Sequence, residues 1–178
     1  MNIIIIGPQG SGKSTQAELL ARELGLLRIS TGGICRKLRK GNSELGRRVK
    51  AAYDRGELVS DEDMVLILKS VLARPAYRGG FVLDGFPRNL WQAENAPFEV
   101  DKVFYLRVSD EEGLKRLSKR AQKEGRVDDT REAITRRLEI YHRETEPVLD
   151  FYRRRGVLEE VNGERSVEEI FEDILRHL

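Results

Sequence analysis

A glycine-rich segment follows the first apolar run of the chain and carries its clearest chemical signal. Residues 7–14 read GPQGSGKS and fit the pattern G-x-x-x-x-G-K-[ST]. Glycines let the backbone curl until successive N–H groups face an anion, and the start of a following helix adds the positive end of its dipole. In such a loop Lys13 reaches the outer phosphates and Ser14 faces a magnesium ion. This segment, called the P-loop below, predicts a nucleoside triphosphate site without naming a reaction.

A second polar segment follows a later apolar run and reads DGFPR over residues 84–88. A carboxylate at a strand end beside a P-loop can orient magnesium or its bound waters, which is what we expect of Asp84. Arg88 presents a planar fork that can hold a second anion. In isolation, Asp84 would be interpreted as a turn or helix cap and Arg88 as half of a surface ion pair. The neighbouring P-loop favours the functional interpretation.

Further arginines surround a short turn downstream. Arg116 and Arg120 are four residues apart and share one face of a predicted helix. GRVDD over residues 125–129 predicts a turn, and Arg136 and Arg137 follow it. Any one of these arginines alone is typical of a solvated face. Several arginines near one short turn between helices can instead form a set that closes over a triphosphate. The excess of 23 arginines over 9 lysines fits phosphate chemistry, but composition alone favours compositional drift or a thermophilic source.

Three reaction classes use a P-loop: kinases, motor or hydrolytic ATPases, and GTPase switches. The guanine-binding pattern N-K-x-D is absent from the sequence, which counts against a switch. A kinase needs a second phosphate site and a way to exclude water. Arg88 and the downstream arginines are candidates for these parts.

The composition predicts one ordinary domain of 178 residues. Its net charge of only +2, with 39% hydrophobic residues, argues against disorder, and the lack of a strong basic excess argues against a nucleic-acid partner. Cys35 is the only cysteine and the chain has two histidines, so we expect no zinc site. The apolar run over residues 3–6 is too short for a signal peptide or a membrane span. We therefore expect a cytoplasmic protein without a membrane partner.

Strands and helices alternate in the pattern of apolar residues and breakers. Strands are predicted over residues 2–6, 26–29, 80–84, 102–108 and 157–161. Helices are predicted over residues 14–24, 34–40, 43–53, 60–74, 111–124, 130–155 and 166–178. Pro147 is expected to bend or divide the longest helix. This order predicts an α/β fold with a parallel sheet and right-handed crossovers, and the long stretch 30–78 predicts a small helical subdomain.

Six segments occur in the order and spacing of a known family. They are GPQGSGKSTQA, STGGICR, GELVSDE, GFVLDGFPRNLWQAE, GRVDD and RRLEIYHRETEPVLDFY. On these segments the sequence resembles the adenylate kinases, within the nucleoside monophosphate kinase family, over nearly its whole length. The resemblance implies one domain over residues 1–178, with a P-loop NTPase-type three-layer sandwich and a five-stranded parallel sheet. It also implies a helical monophosphate-binding subdomain at 30–59 and a short lid at 121–129, too short for the extra, sometimes zinc-bearing, domain of long-lid relatives.

The resemblance implies roles for single residues as well. The implied ATP-binding residues are Gly10, Ser11, Gly12, Lys13, Ser14, Thr15, Arg116 and Arg120. The implied AMP-binding residues are Thr31, Arg36, Glu57, Val59, Gly85, Arg88, Gln92, Arg126 and Arg137, with Gln92 at the adenine edge. Catalysis is implied for Lys13, Arg88, Arg120, Arg126 and Arg137. Asp128 and Asp129 would orient lid groups, and Ser14 and Asp84 would hold magnesium, mostly through water.

The implied reaction is reversible phosphoryl transfer from Mg-ATP to AMP, giving two ADP, in a monomeric enzyme. No general base is needed, because the acceptor is a phosphate oxygen that is already anionic. Thr31 and Gln92 match the AMP-selective pattern, whereas UMP/CMP kinases typically have Ala at the first position and often Asn at the second. A UMP/CMP kinase and a non-catalytic sensor of adenine nucleotides are the two alternatives.

Three positions depart from the family pattern. Gly33 stands where an acidic residue usually follows Ser-Thr-Gly, Ser14 replaces a glycine, and Gln9 replaces a proline. The missing carboxylate at Gly33 weakens the expected network of magnesium-bound waters, and we expect the Ser14 hydroxyl to compensate in part by binding the metal directly. Cys35 replaces a common leucine, and we expect it to be buried without a catalytic role.

Overall fold

The structure is a computed structural model that describes residues 1–55, 57–124 and 131–178, without the side chains of residues 120–124, 131, 133 and 137. Within this part of the chain, five parallel strands form one sheet in the order β2-β3-β1-β4-β5. They are β1 (Asn2–Ile6), β2 (Leu27–Ser30), β3 (Phe81–Asp84), β4 (Lys102–Arg107) and β5 (Leu158–Asn162). The predicted α/β fold with a five-stranded parallel sheet is confirmed.

Helices connect the strands. They are α1 (Lys13–Glu23), α2 (Thr31–Leu38), α3 (Glu44–Asp54), α4 (Asp61–Leu72), α5 (Leu90–Glu94), α6 (Asp110–Glu124), α7 (Arg131–Ile140), α8 (Glu146–Arg154) and α9 (Val167–Arg176). A 3₁₀ turn occupies Pro75–Tyr77, and a π-helical turn over Tyr141–Thr145 joins α7 to α8. Serine hydroxyls accept the N–H three residues on at the starts of α2, α3, α4 and α9, so local capping fixes where these helices begin.

Two details differ from the sequence-based prediction, and a third, the division of a helix near Pro147, agrees with it. Helix α2 begins at Thr31 rather than residue 34, because Ser30 caps it directly at the end of β2. The five-residue helix α5 was not predicted, although Asn89 caps it. The single helix predicted over 130–155 is divided by the π-helical turn just before Pro147. A proline has no N–H and its ring clashes with the carbonyl four residues earlier, which explains why the regular ladder fails here.

Alternating side chains of β1 enter two different cores, which makes the fold a three-layer sandwich. Ile4 and Ile6 pack with residues of α4 and α8 on one side of the sheet. Ile3 and Ile5 pack with residues of α1 and α9 on the other side. A third, small core lies between α6 and α7 and consists of Leu114, Leu117, Ile134 and Leu138. Among the described residues, no helix combines the length and apolar character needed to cross a membrane.

The register of the sheet brings the two predicted polar segments together. Asp84, the last residue of β3, pairs with Ile5 of β1 and with Ser30 of β2. The P-loop after β1, helix α2 after β2 and the DGFPR segment at the end of β3 therefore emerge side by side. Ligands of open parallel sheets bind at this carboxyl edge.

Candidate active site

The P-loop leads into helix α1, whose N-terminus is not capped by a side chain. Gly12 precedes α1 with φ of 85°, a left-handed conformation that favours glycine, and no side chain caps the helix. The first turn of α1 contains no acidic residue, whereas α4, α6 and α9 each begin with at least two. No acidic residue of its own first turn therefore compensates the positive dipole end of α1, which favours an anion at this position.

Two cations from distant parts of the chain reach one cavity of about 100 Å³. Lys13 and Arg88 both line it, and their neighbours in the wall are Gln9, Gly85, Tyr141 and Thr145, among others. The Lys13 ammonium donates to the carbonyl of Pro8 at 3.0 Å, and Arg88 Nε donates to the carbonyl of Gly85 at 3.0 Å. The cavity can thus place positive charge next to phosphate groups that approach from two sides of the site.

The backbone of Arg88 is held at both of its polar atoms. The Thr145 hydroxyl, which is buried in the π-helical turn, donates to the Arg88 carbonyl at 2.6 Å. The Arg88 N–H donates to Gln92 Oε1 at 2.8 Å. Thr145 was not among the predicted site residues, and no local signal points to this contact, because its partner lies 57 positions away. It positions the arginine that is expected to hold the acceptor.

Gln92 belongs to a buried network centred on Asp61. The Gln92 side chain is only 3% exposed, and its Nε2 donates to Asp61 Oδ1 at 2.7 Å. Asn89 Nδ2 donates to both oxygens of the same carboxylate at 2.9 Å. Asp61 was not singled out from the sequence, and the only signal for it was its place inside the GELVSDE segment.

Asp84 is buried, and its two oxygens have different partners. Oδ2 accepts from Arg28 Nε at 2.8 Å and from Arg28 Nη2 at 2.7 Å. Oδ1 accepts from the hydroxyls of Ser14 and Ser30, each at 3.3 Å. Burial lowers the pKa of Arg28, but Asp84 and the nearby Glu18 raise that pKa more, so it lies above its ordinary value. Arg28 was not predicted as a site residue. It lies two positions before Ser30 in β2, and residues two apart in a strand point to the same face of the sheet.

The exposed hydroxyl of Ser14 and the Asp84 carboxylate form a donor set that fits magnesium. Magnesium prefers oxygen ligands and usually binds proteins through one or two side chains, with water and phosphate completing the shell. The residues present therefore agree with the prediction of a magnesium site that involves Ser14 and Asp84.

The segments expected to bind the acceptor meet at Thr31 and Gly85. The buried Thr31 hydroxyl donates to the Asp84 carbonyl at 3.3 Å. Gly85 has φ of 87°, and a Cβ added there would collide with Thr31 Oγ1, so this position requires glycine. Cys35 lies buried in α2, as expected, and burial raises the pKa of its thiol.

Other predicted site residues lie outside this cluster. Glu57 pairs with Arg55 at 2.8 Å, and Val59 packs against the edge of the larger core. Arg116 bonds to Glu112 and to the carbonyl of Gly163, each at 2.8 Å. The exposed Arg36 extends over Gly32, where an added Cβ would lie 3.3 Å from its Nη1.

The predicted lid residues form a separate group. Arg126, Asp128 and Asp129 and the side chains of Arg120 and Arg137 lie outside the described residues, so their roles stay predictions.

Comparison with known proteins identifies the family. The family model described as Adenylate kinase matches residues 5–157. The adenylate kinase of Thermobifida fusca is 41% identical, with 96% of this chain and 94% of the relative covered. The adenylate kinase of Maricaulis maris has the same identity and coverage, and that of Bifidobacterium longum is 43% identical over the whole of both chains. With its P-loop, its DGFPR segment and these matches, the chain belongs to the adenylate kinase family.

Proposed function

We propose that this protein is an enzyme that transfers a phosphoryl group reversibly from Mg-ATP to AMP and yields two ADP. The single observation that carries the proposal is the cavity that Lys13 and Arg88 line together. Both substrates are anions, so positive charge at their meeting point offsets their mutual repulsion and stabilises the charge of the transferred group. Positioning and charge account for the chemistry without a general base.

The P-loop backbone at the start of α1 and the Lys13 ammonium hold the phosphates of ATP. Arg88 holds the phosphate of AMP, while Thr31 and Gln92 border the space for its base. Two hydrogen bonds support this role, because they fix the backbone from which the arginine side chain starts: the Thr145 hydroxyl donates to the Arg88 carbonyl, and the Arg88 N–H donates to Gln92 Oε1. The stretch 30–59 forms the acceptor subdomain and 121–129 the lid, which supplies Arg126 to the phosphates.

Magnesium belongs to the ATP side of the site. Ser14 would hold it through its hydroxyl, and Asp84 through bound water. When bound, the ion neutralises charge on the phosphate oxygens. The monomeric state and the cytoplasmic location of the enzyme stay predictions from the sequence.

A coupled assay of ADP formation tests this function, with AMP, CMP, UMP and GMP offered as acceptors at equal concentration. We expect AMP to give by far the highest kcat/KM. A preference for CMP or UMP would replace the proposal by a UMP/CMP kinase. Adenine nucleotide binding without any transfer would replace it by the sensor.

A further inference from the structure

Arg28 makes the shortest contacts to the carboxylate that the proposed function places beside magnesium. Its Nε and Nη2 lie 2.8 and 2.7 Å from Asp84 Oδ2. The Asp84 side chain is only 4% exposed, and that of Arg28 is 26% exposed. A carboxylate this buried needs a partner when no metal is bound, and the guanidinium supplies it.

The other oxygen of Asp84 faces the P-loop. Oδ1 accepts only at 3.3 Å, from the hydroxyls of Ser14 and Ser30, which are neutral. Because Arg28 and Ser14 bond to the same carboxylate, their polar ends lie within roughly 8 Å, about one Debye length at physiological salt. A cation bound at Ser14 would therefore feel the charge of the guanidinium with little screening.

Residue 33 contributes no negative charge to the predicted magnesium site at Ser14 and Asp84. Gly33 has no side chain, and a Cβ added there would lie 3.5 Å from Ser30 Oγ. The remaining acid near Arg28 is Glu18, which accepts from Nη1 at 3.0 Å but is 69% exposed and so well screened by water. Arg28 therefore already neutralises the charge of Asp84, the carboxylate at the predicted metal site.

We propose that Arg28 is a positioning residue that holds Asp84 in the absence of metal and lowers the affinity of the site for magnesium. The inference rests on the proposed function, which places the metal at Ser14. Removal of Arg28 would affect magnesium affinity in two opposite ways. The Asp84 carboxylate would be held less firmly, which lowers the affinity, and one positive charge would be lost, which raises it. Asp84 remains fixed by its place in β3 and by the hydroxyls of Ser14 and Ser30. A unit charge at this range changes the affinity for a divalent ion by about tenfold. The charge effect therefore dominates.

The test compares the affinity of each protein for β,γ-imido-ATP with and without magnesium, by calorimetry and in the absence of AMP. The ratio of the two affinities measures how strongly the protein prefers the magnesium form, independently of turnover. Arg28→Gln keeps a donor for Oδ2 but removes the charge, and we expect this ratio to rise at least about fivefold. The control Arg22→Gln removes an exposed positive charge from the last turn of α1, and its ratio should stay within about twofold of the wild type.

A second comparison avoids a buried carboxylate that has lost its guanidinium partner. The double variant Arg28→Gln/Asp84→Asn is neutral at this pair, and its ratio should exceed that of Asp84→Asn alone, since the two proteins differ only at Arg28. If the wild type prefers the magnesium form and Arg28→Gln leaves this preference unchanged or lowers it, the inference about Arg28 is overturned and the proposed function is not. A wild-type protein without any such preference would overturn the magnesium site of the proposed function as well.

Discussion

Asp61 fixes the direction in which Gln92 presents its amide. The carboxylate accepts from Nε2 at 2.7 Å, while Oε1 accepts from the N–H of Arg88 at 2.8 Å. A carboxylate only accepts and a backbone N–H only donates, so the amide cannot turn over without losing both bonds. Recognition of the base by Gln92 therefore depends on a residue at the start of α4.

Asp61→Asn should weaken discrimination between acceptors. The asparagine can donate or accept, so Gln92 loses its fixed orientation, and a hydrogen bond to a charged group is worth about 1.5–3 kcal/mol. We expect KM for AMP to rise about tenfold, with a smaller change in kcat and a lower preference for AMP over CMP. Asp63→Asn is the control, because Asp63 lies on the same helix as Asp61 but pairs with Arg48 of α3. Unchanged discrimination in Asp61→Asn would show that Gln92 does not need this partner.

Lys13→Met should abolish most of the activity with little effect on folding. The substitution keeps the aliphatic stem and removes a charge directed at the transferred group. Loss of one such donor lowers kcat by about 10² or more. Steady-state assays and thermal unfolding of the variant measure the two effects separately. Near-parental turnover would remove the P-loop lysine from the mechanism.

Ser14 and Gly33 should share the metal dependence of the enzyme. Ser14→Gly removes the hydroxyl beside Asp84, so we expect a higher magnesium requirement. Gly33→Asp should recover much of that loss, and a Cβ at residue 33 meets only ordinary contacts. Magnesium titration of the wild type, both single variants and the double variant gives the coupling between the sites. Purely additive effects would refute the compensation.

Thr145→Val should disturb the position of Arg88, because it removes the hydrogen bond to the Arg88 carbonyl. Valine has nearly the same shape but cannot donate to the Arg88 carbonyl, and an unsatisfied buried polar group costs about 1–3 kcal/mol. We expect lower stability and a rise in KM for AMP without an equal rise in KM for ATP. Thr145→Ser keeps the donor and should restore the AMP KM. If valine raises both KM values equally, the hydroxyl has only a structural role.

His142 should make stability depend on pH. Hydrogen bonds to Glu146 at 2.5 Å and to Asp110 at 2.9 Å raise the pKa of His142 above its ordinary value. A raised folded-state pKa gives stabilisation that is complete below the unfolded pKa, about 6.5, and disappears as pH rises through the folded pKa. The ring is 43% exposed, so solvent screening limits the effect to about 1 kcal/mol or less.

Urea unfolding of the wild type and His142→Gln over this pH range measures the difference. We expect the wild type to be the more stable protein at acidic pH and the two to converge in alkali. In the Glu146→Gln background the difference should shrink, because the stronger partner is absent. A difference that grows with rising pH would contradict the assigned contacts.

The sequence predicted those parts of the fold and site whose cause is local. Strand β1 contains a continuous run of isoleucines, which is typical of a buried parallel strand, and the P-loop and DGFPR segment carry their chemistry within a few residues. Arg28, Asp61 and Thr145 were missed because their roles depend on contacts with residues far along the chain: Arg28 is 56 positions from Asp84, and Thr145 is 57 from Arg88. Helix α5 has only five residues, too few for a periodic pattern.

We expect the helix pair of α6 and α7, which has a core of its own, to unfold more readily than the sheet. Leu117, Ile134 and Leu138 form a cluster apart from the two cores of the sheet. Among the described residues this cluster is smaller than either core of the sheet, and we therefore expect the pair to open at a lower free energy than the whole molecule. Limited proteolysis should therefore cut this pair first and leave a folded sheet behind.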